Sequence, residues 1–527
     1  MKIKLLFLAL LFISNSFAQD LNITSLGNLD YGDVGLNDIW GYSDGEKEYA
    51  LVGTYEGISV VDVSDPSNLH ELNNLKTVNS IWKDIKTHSH YAYVTHGIYS
   101  SSTEPKGLTI IDLNTIESEN PSMWNYKIDG VFETAHNIFI DDDAFAYVFG
   151  VNEIGGALIL DLNNDPTNPE FVSYYQSHYL HDGYVKDGKL YGCADKNGYF
   201  VVVDVNDKEN PKDITSSDTP NRTTHNAWLS DDGNTLFTTD ERKSAYITSF
   251  DVSDEDNIKQ LDIIRTKNTE QSIPHNTLVF GDFLISSYYA QGIQIVDASK
   301  PDNLVEVARY DTTPSNKAEF NGAWGVYPYL PSGNILVSDT ETGLHVLKAT
   351  YSRAAYFEGV IKDEATNSSI YNAEVIIKSE GISDYSTYTG GFKSGASISG
   401  TYEIEVIKEG YESKVFSVDL VQGQTKNVEV FLKQGQLGVE DELLSEFKAY
   451  PNPFKNLLTI EYSFKDLLSS RSELLLYNSS GQELYRLDLD ANSDTVIIDK
   501  ELDAGVYLIQ IFNGTKQSKV IRVVKEN

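Results

Sequence analysis

Cysteine is almost absent. Cys193 is alone among 527 residues, so no internal disulfide is available and stability has to come from packed sheets. Positive charge is scarce as well: 41 Lys and Arg stand against 78 Asp and Glu, a formal net charge of −37. A field of that sign repels phosphate backbones, which excludes nucleic acid as a partner, and it collects divalent cations weakly. Past Ile13 no stretch approaches the roughly 20 apolar residues of a membrane helix, so no transmembrane segment is expected. Methionine falls to two residues while tyrosine reaches 33, the balance of an aromatic, strand-rich chain. Also missing are Gly-x-Ser-x-Gly, His-Glu-x-x-His and a phosphate-binding glycine loop, so no catalytic residues are assigned.

The N-terminus is a targeting segment. Lys2 and Lys4 precede an apolar run from Leu5 to Ile13, and Ser16-Phe17-Ala18 is a small-residue cleavage site. Residues 1–18 therefore read as a signal peptide, and their loss takes the net charge from −37 to −39.

What the chain has in abundance is repetition. Gly57-Ile58-Ser59-Val60-Val61-Asp62 returns as Gly107 to Asp112, Ala157 to Asp161, Phe200 to Asp204, Ile247 to Asp251 and Gly292 to Asp297. A degenerate seventh copy is Gly343-Leu344-His345-Val346-Leu347. A period near 45 residues built of short strands means one four-stranded blade per repeat. Turns such as Asp187-Gly188 and Asp232-Gly233 join first to second strands, and the Gly-led apolar strand is third. A fourth, outer strand follows each Asp. The seventh unit lacks one, and Thr24 to Tyr31 reads like it. The fold class is therefore all-β: a seven-bladed β-propeller over residues 19–352, closed by the N-terminal strand, followed by two small β-sandwich domains.

The third strands resemble the LVIVD repeat. With the first-strand segments Trp82-Lys83-Asp84-Ile85-Lys86, Ala135-His136-Asn137-Ile138, His181-Asp182 and His225 to Asp232, residues 22–350 look like the choice-of-anchor B family of exported proteins. That resemblance implies fold and export and supplies no reaction. Residues 353–433 alternate at period two and are similar to the carboxypeptidase regulatory-like domain, with Gly390-Gly391-Phe392 at its Gly-x-Phe step and Thr389 where that family has Asp. The resemblance implies a spacer or interaction module. After a polar linker at 434–446, residues 447–527 look like the C-terminal sorting domain of the type IX secretion system. The residues that carry this are Tyr450, Pro451, Asn452 and Pro453, then Gly505 and Tyr507 in Leu502 to Ile511. It implies handling by the type IX machinery and release from, or attachment to, the outer surface of a Gram-negative cell.

One column invites chemistry. His136, His181, His225 and His275 fall at one position of four consecutive first strands, each followed by Asn or Asp. Asn37, Lys83 and Asn321 align with them in the other units. First strands line a propeller axis, so the four imidazoles form a ring at one depth and could hold a divalent metal. The structural alternative is a repeated hydrogen bond between neighbouring strands, with Asp195, Asp240 and Asp339 as partners. His88-Ser89-His90 reads as a surface pair, Asp488 to Asp494 as a solvated turn, and Cys193 as a buried inert thiol. The functional expectation is a secreted or surface binding module for a peptide, glycan or envelope partner. The alternative is a metal-dependent hydrolase or lyase using the histidine column.

Overall fold

The computed structural model describes residues 20–97, 107–151, 155–266, 272–313, 320–435, 444–464, 472–478, 482–489, 494–500, 502–513 and 516–526. The expected signal peptide, most of the linker and the centre of the Asp488 to Asp494 loop lie outside them. Among the described residues helix is limited to three 3-10 turns, and everything longer is strand.

Between Ile23 and Ala349 the described strands form seven four-stranded antiparallel sheets. In the first six the chain runs straight across the sheet, as in Leu36–Ser43, Glu48–Thr54, Gly57–Asp62 and His70–Lys76. The other first strands are Ile85–His88, Asn137–Ile140, Asp182–Lys186, Thr224–Leu229, Pro274–Phe280 and Ala323–Tyr327. Each touches the next, and Ala323–Tyr327 touches Leu36–Ser43. The core is divided accordingly. Seven apolar clusters each lie between two neighbouring sheets; Leu51, Ile58 and Val60 meet Ile85, Ala92 and Ile111, and at the other end Val52 and Val61 meet Leu336 and Val346. All ten are wholly buried.

The seventh sheet takes its outer strand from the beginning of the chain. Ile23–Leu29 runs antiparallel to Gly343–Ala349, with Ile23 opposite Ala349 and Leu29 opposite Leu344. Two details make it equivalent to the other fourth strands. It carries a bulge between Ser25 and Gly27, as the fourth strand of sheet one does opposite Val60 and Val61. The glycine that opens the third strand is also used alike: a Cβ on Gly57 would lie 1.9 Å from the Leu75 carbonyl oxygen, and one on Gly343 would lie 2.1 Å from that of Leu29. The repeat begins with Gly because the outer strand's backbone crosses there.

The Asp that ends the repeat has a local reason. Asp62, Asp112, Asp161, Asp204, Asp251 and Asp297 each accept the amide two residues on, at 2.8–3.1 Å. This Asx turn stops the third strand and starts the link to the fourth.

The chain divides into two compact units: residues 1–362, 368–406 and 414–431, and residues 363–367, 407–413 and 432–527. The first thus includes most of a two-sheet region after the array, with sheets built on Ala355–Asp363 and on Gly400–Ile407. Arg353 meets Asp297 at 3.1 Å, the Ala354 amide donates to the same carboxylate at 2.8 Å, and Ser397 Oγ donates to the Glu306 carbonyl at 2.9 Å. Phe392 is buried and packs on Phe357 at 5.1 Å between centroids. The second unit contains two sheets, one built on Leu444–Tyr450 and Leu458–Phe464 and one on Ser472–Asn478 and Gly505–Asn513, around a core that includes Phe454, Leu474 and Ile509.

Candidate functional site

The first strands line the axis, and strand pairing fixes which residues share a level. Ile39 opposite Val52, Thr277 opposite Ser286 and Val326 opposite Val337 are equivalent pairs. Two residues earlier lies the histidine column: Asn37, Lys83, His136, His181, His225, His275 and Trp324. The seventh member is Trp324, which corrects the alignment to Asn321; the irregular pairing at Ala323–Gly325 hid the shift. The hydrogen bonds agree. Thr95, Thr239 and Ser287, each from a second strand, donate to the carbonyls of His136, His275 and Trp324 in the following sheet.

The four histidines converge. Successive ring centroids lie 4.0 Å (His136–His181), 4.5 Å (His181–His225) and 4.3 Å (His225–His275) apart, and Trp324 continues the row 4.9 Å beyond His275. His225 and His275 are 4% exposed, while His136 and His181 are half-buried. Burial holds every imidazole below the usual histidine range: His136 at about 4, His225 and His275 at about 3, His181 well below. For His181 the three neighbouring rings add to the effect. At neutral pH the floor therefore consists of uncharged rings with lone pairs to offer.

Carboxylates face these rings from the second-strand ends. Asp195 Oδ2 is 3.7 Å from His181 Nδ1, and Glu241 sits between two rings, 3.9 Å from His225 Nε2 and 3.8 Å from His275 Nε2. Of the three acids singled out in the sequence only Asp195 is here. Asp240 accepts Thr219 Oγ1 and the amides of Asn221 and Thr223, and Asp339 accepts Thr312 Oγ1 and the amides of Glu341 and Thr342. Glu241 was missed by one residue. Asp195 follows Ala194 at the end of its strand, so its equivalent is the residue after Asp240, and one step along a strand changes face.

One histidine makes the inter-sheet hydrogen bond anticipated for the column, His275 Nδ1 with the Trp324 carbonyl at 2.6 Å, and the residue after the column makes others. Asp38 accepts the Ile85 amide at 3.2 Å, Asp84 that of Ile138 at 2.9 Å, and Asn226 that of Thr277 at 3.0 Å. This second level has its own cation. Lys86 Nζ lies 3.0 Å from Asp84, 3.8 Å from Asp38 and 4.4 Å above the Trp40 ring. Burial, with Asp84's charge added, pushes Asp38 well up, while Lys86 overcomes the same burial to hold Asp84 low. Burial, again helped by Asp84, raises Asp182 to about 7. Below comes an aromatic level in which Trp228 packs on Tyr184 at 4.7 Å and Phe139 at 5.9 Å. Voids between these levels are about 20 Å³, room for a single water.

Above the histidines the axis opens. A cavity of about 790 Å³ is floored by His136, His181, His225 and His275, walled by Asp195 and Glu241, and collared by Trp82, Tyr179, Tyr289, Phe320 and Trp324. Lys196 Nζ stands 4.0 Å over the Tyr179 ring at its edge. The remaining sequence candidates stay apart from it. His88 and His90 flank a turn where Ser89 Oγ meets His90 Nδ1 at 3.2 Å, and Cys193 is buried, its thiol pushed well up by burial.

In the second unit, Tyr450 and Glu461 bond through side chains. Asn452 pairs with the last strand as a backbone would: Nδ2 donates to the Arg522 carbonyl and Oδ1 accepts the Val524 amide, both at 2.9 Å. Tyr507 Oη, two residues after Gly505, donates to the Asp503 carbonyl at 2.7 Å.

Four-stranded repeats whose first strands line an axial funnel are propeller-like. Residues 46–77, 184–219 and 278–312 match the LVIVD repeat family, and residues 448–526 match the secretion system C-terminal sorting domain family. The chain thus carries LVIVD repeats and a type IX sorting tail, and the tail implies secretion. No curated protein matches the chain. Among solved structures it is similar to the β-propeller domain of Cps50 (Swd1) from Myceliophteria thermophila, at TM-score 0.43 and 11% identity over 62% of this chain and 100% of that one. The computationally designed Ika8 protein is similar at TM-score 0.42 and 9% identity, over 61% and 98%.

Proposed function

We propose that this chain is a secreted or surface-held binding protein: a seven-bladed propeller, closed by its own N-terminal strand, that takes a ligand into the axial funnel. The single observation that carries the reading is the cavity of about 790 Å³ floored by a row of neutral imidazoles beside two carboxylates, under an aromatic collar. Its volume suits a small molecule or one residue of a larger one, and few polar groups among aromatics is the usual lining of such sites. Rings that stack and carboxylates that accept hydroxyl or amide protons fit a glycan or a peptide side chain. The blind lower end makes the cavity a socket, with nothing passing through.

In this reading the repeat region is a choice-of-anchor B type module. Residues 353–433 are a carboxypeptidase regulatory-like spacer, residues 1–18 are removed as a signal peptide, and the type IX machinery of a Gram-negative cell delivers the product. The alternative, a metal-dependent hydrolase or lyase, draws on the same histidines and requires a bound ion. A glycan and peptide array probed with the secreted protein, beside Trp82→Ala and Tyr179→Ala, tests the binding reading. A defined hit that each variant weakens at least tenfold is expected. A blank array, or hits untouched by both variants, overturns it.

A further inference from the structure

We infer that the funnel floor is a divalent transition-metal site, with His225, Glu241 and His275 as one three-donor face and His181 and His136 extending the donor set through His225. The inference deepens the binding reading and rests on it only for access through the funnel.

Proton positions decide which ring nitrogens can coordinate. His275 Nδ1 lies 2.6 Å from the Trp324 carbonyl oxygen, which can only accept, so Nδ1 carries the hydrogen and Nε2 presents a lone pair. That lone pair faces Glu241 at 3.8 Å, and the other carboxylate oxygen faces His225 Nε2 at 3.9 Å. Glu241 Oε1, the oxygen that faces His275, also accepts the Tyr289 hydroxyl at 2.7 Å, which leaves the carboxylate charged and fixed beside the ring. At His275 two acceptors, the ring lone pair and the carboxylate, therefore face each other. At His181, Nδ1 turns to Asp195 and the buried Nε2 has no hydrogen-bond partner among the described residues. A carboxylate behind one ring nitrogen with the other left open is how proteins orient a metal-binding imidazole.

Donor spacing agrees. The ligating atoms of His136, His181 and His225 lie within 4.8 Å of one another, as do those of His225, Glu241 and His275. Ligation at about 2.0–2.1 Å asks for separations of about 3.4 Å, reached by small side-chain rotations around an ion. Nitrogen-rich donors with one carboxylate select zinc, copper, nickel or iron over magnesium and calcium. The level below is closed to such an ion, because Lys86 already occupies the place between Asp38 and Asp84.

The test uses the full secreted chain, stripped with chelator and titrated separately with Zn(II), Cu(II), Ni(II), Co(II) and Mg(II). About one equivalent of a transition ion should survive gel filtration, with Mg(II) lost. Cobalt should give visible d–d bands that change in Glu241→Gln. His225→Ala, common to both donor sets, should weaken retention at least a hundredfold. A paired His88→Ala, His90→Ala variant should leave it unchanged. Circular dichroism establishes that each variant is folded, and Glu241→Gln decides if His225→Ala is not. No retained ion, or retention unaltered in His225→Ala and Glu241→Gln, overturns the site. Running the arrays on stripped and loaded protein separates the two readings. Array ligands bound without any retained metal sink this inference alone, while metal retained without an array ligand sinks the binding reading alone.

Discussion

Asp297 shows how much one carboxylate carries in this chain. It closes its repeat's Asx turn on the Ser299 amide at 3.0 Å, and it also receives Arg353 and the Ala354 amide where the following two-sheet region begins. Asp384 illustrates the opposite condition. It shares the lining of a cavity of about 470 Å³ with Asp262, Arg265, Glu306 and Lys393, and burial, helped by Asp262's charge, raises it to about 6. Its folded form holds a proton that the unfolded chain releases, so stability falls as pH rises from about 4 to 6 and stays reduced above. Asp384→Asn should therefore be more stable at pH 7 by about 1–2 kcal/mol and indistinguishable from the parent at pH 4, read by denaturant midpoints. An equal gain at both pH values would remove the titration as the cause. At this scale the sequence was legible wherever a residue recurs. The histidine column could be read because four copies agree, whereas Glu241 and Trp324 lie at strand ends and irregular pairings, where a slip of one or three residues leaves the pattern intact and changes the partner.

Strands in this chain are specified by their crossings as much as by apolar alternation. The opening Gly and closing Asp of the third strand marked its limits in the sequence, because one answers a backbone contact and the other a turn. The outer strand of the seventh sheet was readable for a similar reason: residues 24–31 share the character of a fourth strand although they precede all others. Gly343→Val drives a side chain into the Leu29 carbonyl oxygen, 2.1 Å from an ideal Cβ, at a φ of +94°. A loss of about 2–3 kcal/mol is expected, with amide exchange accelerated across Ile23–Leu29 and little changed in Asp182–Lys186. Uniform acceleration in both strands would show that the damage is global instead.

For the whole molecule, the acidic surface and the shortage of cysteine leave stability to seven inter-sheet cores, each small and each sharing a sheet with the next. The sorting tail belongs to a different compact unit, so its loss should act on delivery and leave the array folded. A chain lacking residues 448–526 should remain in the cell, with secreted material at least tenfold lower by immunoblot; unchanged secretion would show that the tail is dispensable. The funnel's full lining was beyond the sequence, because it comes from six repeats and includes aromatics such as Tyr179 and Phe320 that follow no period.

The pairing of Ile23–Leu29 with Gly343–Ala349 also sets an order of events. A ribosome makes the latch more than three hundred residues before the catch. Until the last repeat emerges the seventh sheet lacks its inner strands and Ile23–Leu29 has no partner to pair with. Any product cut short before residue 343 can never fasten, which makes the first strand a built-in check that translation reached the end of the array.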